Sequence, residues 1–435
     1  MKTTILLFTR DLRVHDHPAL HAACEDAENV VPLFVLDDAL LASPAGAPNR
    51  VRFLLDGLDD LRKSLHERGA ELVVRRGDPV AETLALARHH DAGRVHLSDD
   101  VSEYARRRRE RLEREIAVAV HPGVTVVPPG AVTPVSGDHY KVFTPYFRAW
   151  SGLRWRPVLP APEAVRVPSG LEPGIDLATF DVAGVSPDLM PGGEGAGRER
   201  VRAWLRDHLA EYEDGHDDLP GDRTSRLSPY LRFGCVSPLE LATAARGREG
   251  GFGFARQLAW RDFHHQVTAA FPRINRDDYR PRDDARWHDD EDALEAWRQG
   301  RTGYPIVDAG MRQLLREGFM HNRARMITAS FLTRNLHIDW RHGLRHFASL
   351  LADGDVPNNA GNWQWIAGTG NDTRPNRVMN PLRQASRFDP KGDYVREYVP
   401  ELEPVSPSFI HTPWKLPAGL RRDLGYPAPI IDPPD

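Results

Sequence analysis

Strand-like and helix-like stretches alternate strictly through the first 130 residues, and strand-like runs then almost cease. Residues 3–8, 30–36, 71–75, 94–97 and 124–127 are short apolar runs, and residues 18–25, 50–68, 79–89 and 103–117 between them place apolar side chains at helical spacing. Such strands cannot be joined by tight hairpins. Each connection carries a helix, so the strands lie parallel and helices cover both faces of the sheet. The expectation is a Rossmann-like, parallel five-stranded α/β domain over residues 1–130. No Gly-rich fingerprint follows the first strand, which argues against a nicotinamide dinucleotide there.

Residues 131–197 break the pattern. Proline and glycine recur in LRWRPVLPAPEAVRVPSG and MPGGEGAG, as in a long interdomain connection crossing a surface. Its aromatic stretch YKVFTPYFRAW is expected to pack on something. Residues 198–435 read as all-helical, with apolar spacing of helical type in 252–271, 304–315, 320–332 and 344–351. Ser228 is expected as an N-cap, with Pro229 at the first helical position.

Bulk properties narrow the class. The chain has 435 residues, enough for more than one core, and no apolar run of membrane-spanning length. The start MKTTILLFTRDLR meets charge too early for a signal peptide. With only two cysteines, Cys24 and Cys235, a disulfide framework is not expected and a reducing cytoplasm fits. The net charge of -5 does not exclude nucleic acid, because binding needs a local basic surface rather than a basic whole.

Three clusters carry chemistry. TSRLSPYLRFG, residues 224–234, joins hydroxyls and an arginine at a helix start, a setting that suits phosphate oxygens. A capped helix that binds nothing would look the same. In QLAWRDFHHQ, residues 257–266, Gln257, Trp260 and Arg261 share a helix face, as in a base-recognition pocket or in a helix that simply buries its tryptophan. The stretch 297–380 is dense in Asn, Arg and Asp where a structural bundle would carry leucine. Buried polar groups cost about 1–3 kcal/mol each when unpaired, so this stretch should surround a polar ligand. No metal site is expected.

Taken jointly, TSRLSPYL, WRDF, GYPIVDAGMRQL, MHNRARM, DGD and NWQW, with RDLRVHD near the start, resemble the photolyase/cryptochrome family in order and spacing. The likeness spans almost the whole chain and is greatest to bacterial class I cyclobutane-dimer photolyases. It implies FAD, active in the reduced FADH- form, bent inside the helical domain. By the same resemblance Tyr212, Thr224, Ser225, Arg226, Leu227, Ser228, Arg261, Arg325, Asp353, Gly354, Asp355 and Asn359 would contact the cofactor, with Arg325 paired to Asp353 and Asn359 facing the flavin N5. Trp363, Trp340 and Trp287, in that order outward, would form an electron-transfer chain, with Asn359 the further catalytic residue. Gln257, Trp260, Arg261, Asn322, Arg323, Met326, Trp365 and Gln384 would meet the lesion or DNA.

The implied activity is light-driven splitting of pyrimidine dimers flipped out of UV-damaged DNA, by a monomer without an obligate protein partner. One position departs from the pattern. Gln257 stands where many cyclobutane-dimer enzymes carry glutamate, and glutamine there is typical of 6-4 photolyases and animal cryptochromes. Asn322 and Met326, in place of the 6-4 enzymes' histidines, favour the cyclobutane reading. A cryptochrome-like blue-light receptor and a 6-4 photolyase are the alternatives. An antenna chromophore is implied as well. Asp37, Arg50, Asp100 and Arg232 resemble the 8-hydroxy-5-deazaflavin pattern, while Glu103 matches the alternative, methenyltetrahydrofolate.

Overall fold

The computed structural model describes residues 2–281, 287–371 and 377–433. Residues 372–376, within the polar stretch singled out above, lie outside the described residues. Five parallel strands, β1 (Thr3–Leu7), β2 (Asn29–Leu36), β3 (Val73–Arg76), β4 (Ala92–Ser98) and β5 (Ala117–His121), form one sheet in the order β3-β2-β1-β4-β5. The helices Pro18–Asp26, Pro48–His66, Pro79–His89 and Glu103–Glu113 lie within the crossovers. Because side chains alternate along a strand, Ile5 and Leu7 of β1 join a core with Val80 and Leu86 of the helix Pro79–His89. Leu6 and Phe8 point the other way, into a core continuous with the helical part of the chain.

The fifth strand is a correction. It was expected at 124–127 with the preceding helix reaching 117, but the helix ends at Glu113 and β5 occupies Ala117–His121 beside β4. Val124, Val126 and Val127 are buried all the same. Their backbone is satisfied elsewhere: the Val127 N–H donates to Asp262 Oδ2 at 2.9 Å, and Arg261 Nη1 donates to the Val124 carbonyl at 2.5 Å. Both valine runs read alike in sequence, and only the distant partners Arg261 and Asp262 decide which one joins the ladder.

The Pro/Gly-rich connection is stitched to the sheet and helices along its length. Val30 N–H donates to Arg166 O, Ile175 N–H to Val74 O, and Ser186 N–H to Asn49 Oδ1. Its helix Phe143–Gly152 packs on the helix Gly251–Ala270, and Trp150 Nε1 donates to Asp262 at 2.9 Å. A helix Glu194–Asp207 already begins inside the stretch read as connection.

The remaining chain is helical, with Ser228–Phe233, Gly251–Ala270, Pro305–Glu317, Asn322–Ser330, Trp340–Leu350 and Val356–Ala367 around the interior. Close approach depends on glycine. A Cβ at Gly361 would lie 2.2 Å from His264 Nδ1, which lets the helix Val356–Ala367 press against Gly251–Ala270. The expected capping role of Ser228 is also corrected. Leu227 precedes the helix and no side chain caps it; the Ser228 hydroxyl instead donates to Asp353 Oδ2.

Candidate functional site

A cavity of about 480 Å³ opens among these helices, within the size range of small-molecule sites. Its lining brings together Tyr212, Thr224, Ser225, Arg226, Leu227, Ser228, Gln257, Trp260, Arg261, Asn322, Arg323, Arg325, Met326, Asp353, Asp355, Asn359, Trp363 and Trp365, all singled out from sequence. Gly354, Gln384, Trp287 and Trp340 are not on that lining. Gly354 is close behind it, where a Cβ would meet Arg50 Nη1 at 2.5 Å.

The charges on the wall are internally paired. Arg325 grips Asp353 with two bonds, Nη1 to Oδ1 at 3.1 Å and Nη2 to Oδ2 at 2.8 Å. Arg226, in a left-handed backbone conformation (φ 49°), is held between Asp222 at 2.5 Å and Glu317 at 2.6 Å. Its charge is therefore spent; the Thr224 hydroxyl donates to Asp222 at 3.3 Å and that of Ser228 to Asp353, which leaves the Ser225 hydroxyl as an uncharged donor for a phosphate. Arg261 is buried and donates to the carbonyls of Val124 and Leu231. It braces the wall, through main chain on both sides.

Asp355 receives Arg10 Nη2 at 2.5 Å from the loop after β1, and Arg10 also faces Asp100 at 3.5 Å. Burial alone would push the Asp355 carboxyl upward, but Arg10, then His265 and Arg261, hold it well below the usual carboxylate range. Asn359 keeps a neutral amide at the cavity, with only a long 3.4 Å bond from Nδ2 to Leu344 O.

At the mouth, Trp260 is half-buried, and Phe143 stacks on one face at 3.7 Å and 7°. Any base would have to use the other face. Gln257 and Asn322 are exposed, and Asn322 Nδ2 lies 3.9 Å from Met326 Sδ. Arg323 pairs with Asp217 through two bonds and lies 4.3 Å from the Phe388 ring centroid. Arg377 lies over Trp365 at 5.2 Å. Gln384 Oε1 is buried without a partner among the described residues.

Trp363 is 3% exposed and packs edge-on to Phe347 at 4.9 Å. A Cβ at Gly343 would meet its Cη2 at 2.1 Å, so Trp363 lies against the same helix as Trp340, three residues before that glycine. Trp340 is fully buried, with Nε1 donating to Asp278 Oδ1 at 2.9 Å. Trp287 is half-buried, and the next residue's N–H donates to the His337 carbonyl at 2.7 Å, beside the start of the Trp340 helix.

The residues proposed for an antenna divide between places. Asp37 accepts from the Tyr104 hydroxyl at 2.5 Å, and Glu103 pairs with Arg107 on the surface of its helix. Arg50 closes on the carbonyls of Pro44, Ala45 and Leu351. Arg232 lines the helical cavity; burial, then Arg10, lowers its pKa to about 9.

Sequence reasoning missed several participants. His264 lines the cavity one turn beyond Trp260, and burial lowers its pKa to about 4, so it is neutral near pH 7. The i,i+4 spacing could have found it. Asn358 and Asn362, also four apart, line the cavity beside Asn359. Trp297 is fully buried and edge-on to Trp363 at 6.1 Å. Arg10 opens the RDLRVHD motif and Phe143 lies in the aromatic stretch expected to pack, but neither was assigned to this site, because each reaches it from a distant part of the chain.

Paired wall charges, a hydroxyl-rich phosphate side and a neutral amide fit a bulky dinucleotide, and the fold places it among the helices rather than on the sheet. This defines a two-part cofactor-binding protein. Residues 4–164 match the DNA photolyase family, and residues 254–434 match the FAD binding domain of DNA photolyase. The deoxyribodipyrimidine photo-lyase of Streptomyces griseus is 54% identical over 99% of this chain and 97% of its own. A class III photolyase structure from Agrobacterium tumefaciens superposes with TM-score 0.93 at 33% identity, covering 99% of this chain and 95% of that one. A Synechocystis cryptochrome structure gives 0.91 at 30% identity, covering 99% and 97%. A Sulfolobus tokodaii photolyase structure, described as holding two FAD molecules, gives 0.86 at 31%, covering 99% and 96%. The chain belongs to the photolyase/cryptochrome family, and its helical part is an FAD-binding domain.

Proposed function

We propose that this protein is a deoxyribodipyrimidine photo-lyase, which repairs cyclobutane pyrimidine dimers in DNA under light. The observation that carries the reading is a cavity whose inner wall suits FAD and whose lining includes Trp260, stacked by Phe143 on one ring face. When bound, reduced FAD supplies the light-driven electron that opens the cyclobutane ring.

The protein's own residues orient and insulate. Ser225 offers its hydroxyl to the phosphates, Thr224 and Ser228 stand beside it with their protons on Asp222 and Asp353, and Arg325–Asp353 and Arg10–Asp355 fix the polar wall. Asn359 adds an amide without a net charge near the flavin ring. The lesion leaves the duplex, as in the base-flipping enzymes to which photolyases belong. Trp260 then stacks on it, a contact worth roughly 1–3 kcal/mol per base. Gln257 can both donate to and accept from the base edges, so it serves in place of a carboxylate. Asn322, Arg323, Met326, Trp365 and Gln384 complete the DNA side. Trp363, Trp340 and Trp287 form an outward relay for light-driven reduction of resting flavin, separate from repair.

The working division is an antenna-binding domain over 1–130, a connection over 131–197 and the FAD and DNA domain over 198–435. Of the antenna residues, Asp37 follows β2 and Asp100 and Glu103 follow β4, at the carboxyl ends of the strands, where open α/β sheets bind ligands. Deazaflavin is the assigned chromophore and folate the alternative; extracted pigments and their absorption spectra separate them. No helix among the described residues is long and apolar enough to cross a membrane, and a cytoplasmic monomer acting on UV-damaged DNA is the reading that accompanies the activity. The test is chemical: purified, FAD-loaded, reduced protein should return a dimer-containing oligonucleotide to normal thymines under blue light and not in darkness. A loaded sample inactive in both would point to the receptor function instead.

A further inference from the structure

The helix Gly251–Ala270 starts outside the cavity and runs into its wall. Residues 252, 256 and 260 are four apart and share one face. Trp260 is on the cavity wall, Arg256 is exposed, and Phe252 in the first turn leaves 69% of its surface to solvent. Single exposed apolar side chains are ordinary and carry nothing alone. Here, however, the ring of Phe252 meets Phe147 edge-on at 5.6 Å, Phe147 stacks on Phe143 at 5.6 Å, and Phe143 stacks on Trp260 at 3.7 Å. An unbroken aromatic row thus joins the cavity wall to solvent. Arg256 lies 5.6 Å from the Phe143 centroid and makes no ion pair among the described residues.

We propose that Phe252 and Arg256 form a ledge for the DNA strand beyond the lesion, with Phe252 against a neighbouring base and Arg256 on a phosphate. This rests on the reading of the cavity as the seat of a flipped lesion. A flat ring beside an uncommitted cation is the combination that holds single-stranded nucleic acid without reading its sequence. From residue 252 to 260 the helix rises about 12 Å, or three to four base steps at 3.4 Å each. The ledge is therefore beyond the reach of the lesion itself and touches only what flanks it.

The experiment compares FAD-loaded wild type, Phe252→Ala and Phe252→Trp on two substrates, a lesion-bearing oligonucleotide and the bare thymine-dimer dinucleotide. Phe252→Ala should weaken oligonucleotide binding about 5- to 160-fold, leave light-driven splitting of the dinucleotide unchanged, and be rescued by Phe252→Trp. Arg256→Ala should lower the salt dependence of oligonucleotide binding by about one phosphate contact. Equal oligonucleotide affinity in wild type and Phe252→Ala would overturn the ledge. So would a Phe252→Ala protein that loses self-association while keeping its DNA affinity, because the ring then serves a second copy of the chain. Wild type that neither binds nor splits either substrate would instead overturn the function on which the ledge rests.

Discussion

Asp353 and Asp355 stand two residues apart, yet different parts of the chain hold them. Asp353 is gripped by Arg325 and Ser228 from the helical domain, and Asp355 by Arg10 from the end of β1. Replacing Asp353 with Asn would leave the Arg325 guanidinium without its anion. Hydrogen bonds to charged groups contribute about 1.5–3 kcal/mol, so the variant should melt earlier and release FAD at least tenfold more readily, read by thermal unfolding and by the fluorescence of freed flavin. Trp363→Phe separates two roles. It should slow photoreduction of oxidised flavin severely and spare repair once the flavin is reduced chemically, and loss of both would contradict the relay. Asp353 and Trp363 could be singled out because DGD and NWQW resemble the family's motifs, and both line the cavity. His264 could not be, since a histidine beside Trp260 reads equally as core; the stretch holding Phe143 was expected to pack, but its partner Trp260, more than a hundred residues later in the chain, was not legible.

Helix approach is set at glycines, and these give predictions of opposite sign. At Gly361 an added Cβ would lie 2.2 Å from His264 Nδ1, in a buried contact between two helices that line the cavity. Overpacking there should cost about 1–3 kcal/mol, so Gly361→Ala should lower the melting temperature and loosen FAD together. Gly419 lies within the helix Ala418–Leu424 and meets nothing within 4 Å. Gly419→Ala should therefore add up to about 1 kcal/mol through helix propensity alone. Both can be read in one thermal-unfolding series; a neutral Gly361→Ala would show that the two helices have room to spare. The helix Pro79–His89 was fully legible, with proline at its start and apolar spacing throughout. The fifth strand was not, because Val124–Val127 and Ala117–His121 are apolar runs of the same kind and pairing with β4 is a tertiary choice.

Across the molecule, buried and half-buried histidines shape the response to acid between about pH 4 and 6.5. His121, His264, His321 and His346 each fall from 6.5 to about 4, with burial as the leading cause. Their unfolded forms bind protons between those values while the folded forms do not, so stability rises with pH from about 4 to 6.5 and is lost as pH falls through that window. Asp262 and Asp389, raised by burial from 3.8 to about 6, act in the opposite sense but are only two. The melting temperature should drop between pH 6.5 and 4.5, and a flat profile there would contradict these burials. The division into a parallel α/β part and a helical part was legible from where alternation stops. How tightly the parts join was not: the Arg10–Asp355 pair spans 345 residues of sequence. That union sets one cavity against both cofactor and lesion, and its most direct test is the fluorescence lifetime of the chemically reduced, bound flavin. Saturating lesion-bearing DNA should shorten the lifetime while undamaged DNA of the same sequence leaves it unchanged. An identical lifetime with both DNAs, at full occupancy, would contradict the account.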